Sequence, residues 1–128
     1  MKYFILFFCL FTFISSSLFA GSIRSSSGNL LYNYSNNKIR SSSGNLIFSI
    51  ENGAIRDSSG NLLYQFNSNS IRSKTGSLLY TINGNSIRNS SGNLLYTFNE
   101  NNIRSKNGSL ILQKNGTFPI QLIPIIVK

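Results

Sequence analysis

The 128-residue chain has no histidine, no tryptophan, one cysteine and only three acidic residues. Each shortage removes a class of chemistry. Without histidine, the commonest general base and nitrogen ligand for metals is missing. The one cysteine, Cys9, lies near the N-terminus. The rest of the chain therefore has no thiol nucleophile, no thiolate metal ligand and no disulfide. The acids are Glu51, Asp57 and Glu100. A paired-carboxylate mechanism needs two of them at one pocket, and no motif in the sequence builds one. Serines are plentiful, but no motif marks a Ser–Lys dyad. The expectation is no enzyme, no cofactor and no metal. Charged residues make up 12% of the chain, about half the usual share. The polar surface must then be mostly Ser, Asn and Gly, with sparse positive points from 12 Lys and Arg that set the net charge at +9.

The first twenty residues read as a secretory signal. Lys2 supplies the positive end, and Phe4 to Ile14 form an apolar run of signal-core length. Ser15, Ser16 and Ser17 break the run, and Leu18-Phe19-Ala20 before Gly21 makes a cleavage site. The run is too short to span a membrane as a helix. Cys9 follows Phe7 and Phe8 rather than small residues, which argues against lipid attachment. The expected mature chain, residues 21–128, is exported to the periplasm, the cell surface or the medium. It has no disulfide, so its stability must come from strand pairing and packing.

What the chain has in abundance is repetition. Arginine recurs every 16 residues at Arg24, Arg40, Arg56, Arg72, Arg88 and Arg104, each preceded by isoleucine. Four residues after each arginine stands glycine: Gly28, Gly44, Gly60, Gly76, Gly92 and Gly108. Asn or Ser, two aliphatic residues and usually Tyr or Phe follow. One unit reads Ile55-Arg56-Asp57-Ser58-Ser59-Gly60-Asn61-Leu62-Leu63-Tyr64-Gln65-Phe66. Residues 21–116 hold six such units.

Each unit predicts a β-hairpin. Leu62 to Phe66 is rich in strand formers. Alternation puts Leu62, Tyr64 and Phe66 on one face, and Leu63 and Gln65 on the other with the arginine. Asp57-Ser58-Ser59-Gly60 is a turn with its glycine at the position that needs positive φ. Asn52-Gly53 and Asn83-Gly84 predict two-residue turns between units. Such joints make Ile50 and Ile55, Ile82 and Ile87, and Phe66 and Ile71 cross-strand neighbours. No 3.6-residue apolar period runs through a unit, which excludes helix. The fold class is therefore all-β: an antiparallel hairpin meander, rolled or stacked, or closed on itself, because both faces are partly apolar, with a β-solenoid as the alternative. Arginine spacing favours the meander. Equivalent arginines lie roughly 10 Å apart in a meander and roughly 5 Å apart in a solenoid, where six charges would repel strongly. The tyrosine column (Tyr32, Phe48, Tyr64, Tyr80, Tyr96) is expected to form a core ladder.

Repeat six departs from the unit at Leu112 and Lys114, and the apolar stretch 117–128 follows. That stretch is expected to be a cap, with Pro119 and Pro124 blocking further pairing along the last edge.

The pattern Ile-Arg-x-x-x-Gly-Asn-Leu-Leu-Tyr resembles short tandem β-hairpin repeats of exported bacterial proteins. The resemblance covers about residues 22–116. It implies a repetitive β architecture and names no ligand.

The functional expectation is a secreted or surface-attached binding or scaffold module. Its site would be an arginine stripe (Arg24, Arg40, Arg56, Arg72, Arg88, Arg104) meeting an acidic polysaccharide, lipopolysaccharide or nucleic acid. The competing structural role for these arginines is to cover strand edges. A second reading is a self-assembling fibre subunit, similar in logic to curli-type functional amyloids but without the Gln and Asn spacing of curli repeats. An outer-membrane barrel ranks last, because its strands need about 9–11 residues.

Overall fold

The structure, a computed structural model, describes residues 20–127. The expected signal segment lies outside the described residues apart from Ala20. Each of the six units forms two strands. The first, Ile-Arg-bearing strands are β1 (Gly21–Ser25), β3 (Lys38–Ser41), β5 (Ala54–Asp57), β7 (Ser70–Ser73), β9 (Ser86–Asn89) and β11 (Asn102–Ser105). The second, aromatic-bearing strands are β2 (Leu30–Ser35), β4 (Leu46–Glu51), β6 (Leu62–Phe66), β8 (Leu78–Asn83), β10 (Leu94–Phe98) and β12 (Leu110–Gly116). Every neighbouring pair is antiparallel, and β1 also pairs with β12, from Gly21 opposite Gly116 to Ser25 opposite Leu112. The meander is therefore a closed twelve-strand barrel. Closure on the first strand removes both sheet edges: of the rolled, stacked or closed meanders that the sequence allows this is the closed one, and it differs from the solenoid alternative.

The turns explain the register. Within a unit, the N–H of Gly60 donates to the Asp57 carbonyl and the N–H of Asp57 to the Asn61 carbonyl; the same pair of bonds recurs in all six units. Gly60 sits at φ +90°, which an L side chain rarely adopts. Between units, Asn52 (φ 51°) and Gly53 (φ 78°) form the expected two-residue turn, and Ile50 faces Ile55. Phe66 faces Ile71 and Ile82 faces Ile87, also as expected. The other expected Asn-Gly turn, between β8 and β9, is shifted by one residue. Asn83 is the last residue of β8 and pairs with Ser86, so the central pair is Gly84-Asn85, with positive φ at Gly84 alone. That is the Gly-first hairpin pattern. The Asn67 and Asn99 turns contain no glycine. There the side-chain carbonyl of Asn67 accepts the N–H groups of Asn69 and Ser70, and that of Asn99 accepts those of Asn101 and Asn102.

One feature of the strands corrects the expected faces. In every unit the register shifts between Ile and Arg: Ile55 faces Tyr64, but Arg56 faces Leu62, leaving Leu63 as the extra residue. The same β-bulge occurs in the other five hairpins. Cross-strand partners point to the same side of a sheet, so Leu62, not Leu63, lies beside the arginine. Bulges bend a strand and increase its twist. Six identical bends, one per unit, give the sheet the uniform curvature that brings β12 back to β1.

The lumen is filled from the walls and from one end. Ile23, Ile39, Ile55, Ile71, Ile87 and Ile103 are each 0% exposed. Their partners Tyr32, Phe48, Tyr64, Tyr80 and Tyr96 are half-buried and pack against this isoleucine ring, forming the expected core ladder. Burial, and secondarily the neighbouring Tyr80, push the Tyr96 hydroxyl pKa up. After β12 the chain forms a short 3₁₀ turn (Ile120–Leu122) and a short helix, α1 (Ile123–Val127). Phe118, Leu122, Ile123, Pro124 and Ile125 are buried. The Phe118 ring meets Tyr34 of β2 edge-on at 6.1 Å, and Gln121 Nε2 donates to the Asn67 carbonyl at 3.3 Å. Asn67 follows β6, which lies six strands from β12 around the ring in either direction. The tail thus spans the mouth of the barrel on the side of the inter-unit turns. Pro119 and Pro124 guard no free edge, because that edge is paired with β1. The seam is tight: the Thr117 N–H donates to the Ala20 carbonyl, and a Cβ on Gly21 would run into the Thr117 carbonyl.

Candidate functional site

The arginines stand next to the buried isoleucines, so alternation turns them to the outer wall. Arg24, Arg40, Arg56, Arg72 and Arg104 are exposed and Arg88 is half-buried. Each lies between a polar residue on the strand before it and a leucine on the strand after it. Arg72, for example, faces Gln65 and Leu78. The series closes on itself, since Arg24 faces Gln113 across the β1–β12 seam. The expected linear stripe is therefore a belt around a ring.

Each guanidinium also has a local partner. Nη1 donates to the carbonyl of the glycine four residues on, at 3.0 Å from Arg24 to Gly28 and 3.1 Å from Arg40 to Gly44, and likewise in the other four units. This bond accounts for the constant spacing of Arg and Gly. It is also a structural role, braced on a turn rather than on a strand edge. One of five N–H donors is occupied by it. The bond draws each guanidinium to the level of the turn, at the rim opposite the tail.

Charge is divided unequally between the two ends. The rim of glycine turns holds the six arginines, Lys74 and Lys106, against one acid, Asp57. Asp57 Oδ1 accepts the N–H groups of Asn61 and Ser59. The Asn61 backbone N–H is the main cause holding this carboxyl below its usual range, against a smaller desolvation effect. At the tail end, among the described residues, Lys38 and Lys114 are matched by Glu51 and Glu100. Glu51 leads into the β4–β5 turn and Glu100 lies in the β10–β11 turn, six strands apart around the ring, so the acids are not brought together. Among the described residues there is no group of three or more His, Cys, Asp or Glu that could hold a metal. On the outer wall Asn85, Thr97, Phe98, Asn99, Asn102 and Arg104 line a shallow cleft of about 260 Å³. Among the described residues no helix is long and apolar enough to cross a membrane.

Sequence reasoning found the arginines but not the rim. Lys74 and Lys106 stand in the same four-residue turn as the glycine, Ser73-Lys74-Thr75-Gly76 and Ser105-Lys106-Asn107-Gly108. That shared position was the available signal that the basic residues gather at one end. In comparisons with known proteins, no family model matches the chain, and neither a curated protein nor a solved structure matches it.

Proposed function

We propose that the protein is an exported, non-catalytic binding module for anionic partners, of the class of acidic polysaccharide or lipopolysaccharide. One observation carries the reading: six guanidiniums are held at equal spacing in a continuous belt at one end of a closed barrel, with no matching set of acids there. Fixed geometry lowers the ordering cost of each contact. Guanidinium forks suit phosphate and carboxylate oxygens, and each keeps donors beyond its glycine bond. The outer wall is mixed where a lipid-facing barrel would be apolar: each arginine has a leucine on one side and, on the other, Asn33, Ser49, Gln65, Thr81, Thr97 or Gln113. The strands are also 4–7 residues long, short of a membrane span. The fibre alternative draws on free strand edges, and a barrel closed between β1 and β12 offers none without opening.

The test is chromatography of residues 21–128 on heparin-agarose. Retention at low salt with elution over a salt gradient supports the reading, since contacts between exposed charges weaken as the Debye length shrinks. Flow-through at low salt overturns it.

A further inference from the structure

The closed ring adds a geometric constraint on what can meet the arginines. The belt runs around twelve strands spaced about 4.8 Å apart, a circumference of roughly 58 Å. A chain-like polyanion lying along the outer wall touches one side of a ring and so reaches two or three arginines. A plane meeting the rim end-on reaches all six, because each guanidinium is pulled toward its turn by the glycine carbonyl at 3.0–3.1 Å. Lys74 and Lys106 lie in those turns, further out on the same rim, and both are exposed. Of the three acids, Glu51 and Glu100 are at the far end. The far end is also where the apolar tail is already buried across the mouth.

From this we infer that the protein docks end-on, glycine-turn rim first, onto a lipid surface rich in anionic headgroups, with the tail-covered end facing away. The inference rests on the anion-binding part of that reading and narrows the partner from a chain-like polyanion to a planar anionic lipid surface. A headgroup layer supplies phosphate oxygens in a plane, the arrangement that a rigid ring of guanidiniums matches. The rim turns are mostly Ser, Asn and Gly, with Lys74, Lys106, Thr75 and Asp57 among them and no aromatic residue, so binding is superficial and driven by charge. It is therefore reversed by salt.

The experiment is co-sedimentation of residues 21–128, which contain every described strand, with vesicles of phosphatidylcholine alone or of phosphatidylcholine mixed with phosphatidylglycerol. Heparin retention is measured in parallel. Lys74→Glu and Lys38→Glu change net charge equally but sit at opposite ends. They are roughly 14 Å apart along the strand direction, more than the Debye length of about 8 Å at physiological salt. The expected result is binding to the anionic vesicles alone. Lys74→Glu should weaken it about 25-fold, taking about fivefold for each of the two charge units lost, and Lys38→Glu should leave it within about twofold by the same screening argument. Equal losses in the two variants would overturn end-on docking. Heparin retention without vesicle binding would overturn the lipid partner and leave the anion-binding reading standing. Failure on both supports would remove both.

Discussion

Replacing Gly60 probes the turn on which each unit, and each arginine, depends. Gly60 has φ +90°, and a Cβ built there meets nothing within 4 Å. The cost of a side chain is therefore backbone strain alone, with no clash to confuse it. For alanine, the left-handed region costs roughly 1–2 kcal/mol. About 0.4–1 kcal/mol returns because alanine restricts the unfolded chain. The net is about 1 kcal/mol for Gly60→Ala. Valine is β-branched and tolerates positive φ worse, so Gly60→Val should cost about 2–3 kcal/mol. Ser58, two residues earlier and exposed, should change stability by less than about 0.5 kcal/mol when made alanine. The glycine turns lie on separate hairpins, so their costs should add. All six changed to alanine would cost about 6 kcal/mol, comparable to the whole stability of a small domain. The assay is urea denaturation, comparing midpoints at constant slope. If Gly60→Ala and Ser58→Ala shift the midpoint equally, the turn conformation described for the unit is wrong.

Three further outcomes follow from the same structure. Ile55 is fully buried in a six-membered isoleucine ring; Ile55→Ala should cost about 2–5 kcal/mol and Ile55→Val about 0.5–1.5 kcal/mol, read by thermal or urea unfolding. Asp57 has its carboxyl pKa lowered by the turn N–H groups, so its stabilising contribution is present above the ordinary carboxylate pKa and is lost as pH falls through the lowered folded value. Asn89 accepts the same two backbone N–H bonds in its own turn, so Asp57→Asn should remove this acid-side pH dependence of stability while keeping the fold, as followed by unfolding midpoints between neutral and acidic pH. Removing the chain after Thr117 uncovers the isoleucine ring and deletes the buried Pro124 together with four larger buried apolar side chains, Phe118, Leu122, Ile123 and Ile125. At about 1.5–3 kcal/mol each, this is as large as the total stability. The truncated chain should bind a hydrophobic dye and lose its cooperative transition.

The hairpins were legible in the sequence because their determinants are local. Glycine placement, Asn-Gly pairs and strand alternation set Ile50 against Ile55 and Phe66 against Ile71 without reference to the rest of the chain. Departures appeared where a choice depended on neighbours. At Asn83-Gly84-Asn85 the residue pattern allows either two-residue turn, and Ile82 facing Ile87 selects Gly84-Asn85. Alternation put Leu63 on the arginine's face, where the structure has Leu62, because a bulge has no signature of its own in composition. The choice among rolling, stacking and closing stayed open for a related reason: closure is the sum of six small bends, none of which shows in a single unit. The tail was readable as apolar and terminal, but an edge and a mouth both ask for such a segment, and only the closed ring decides between them. The basic rim follows from closure, so it too stayed hidden while the arginines themselves were plain.

The most direct test of the closed barrel is a cross-link at its seam. Ser22 on β1 faces Asn115 on β12, and antiparallel partners have Cα atoms about 4.5–5.5 Å apart, within reach of a disulfide. The Ser22→Cys/Asn115→Cys protein, made from residue 21 onward so that Cys9 is absent, should form an intramolecular disulfide under mild oxidation without denaturant. A Ser22→Cys/Asn67→Cys control, with its cysteines on opposite sides of the ring, should not. If the seam pair oxidises no faster than the control, or only between molecules, the sheet is open and the account of a continuous rim fails with it.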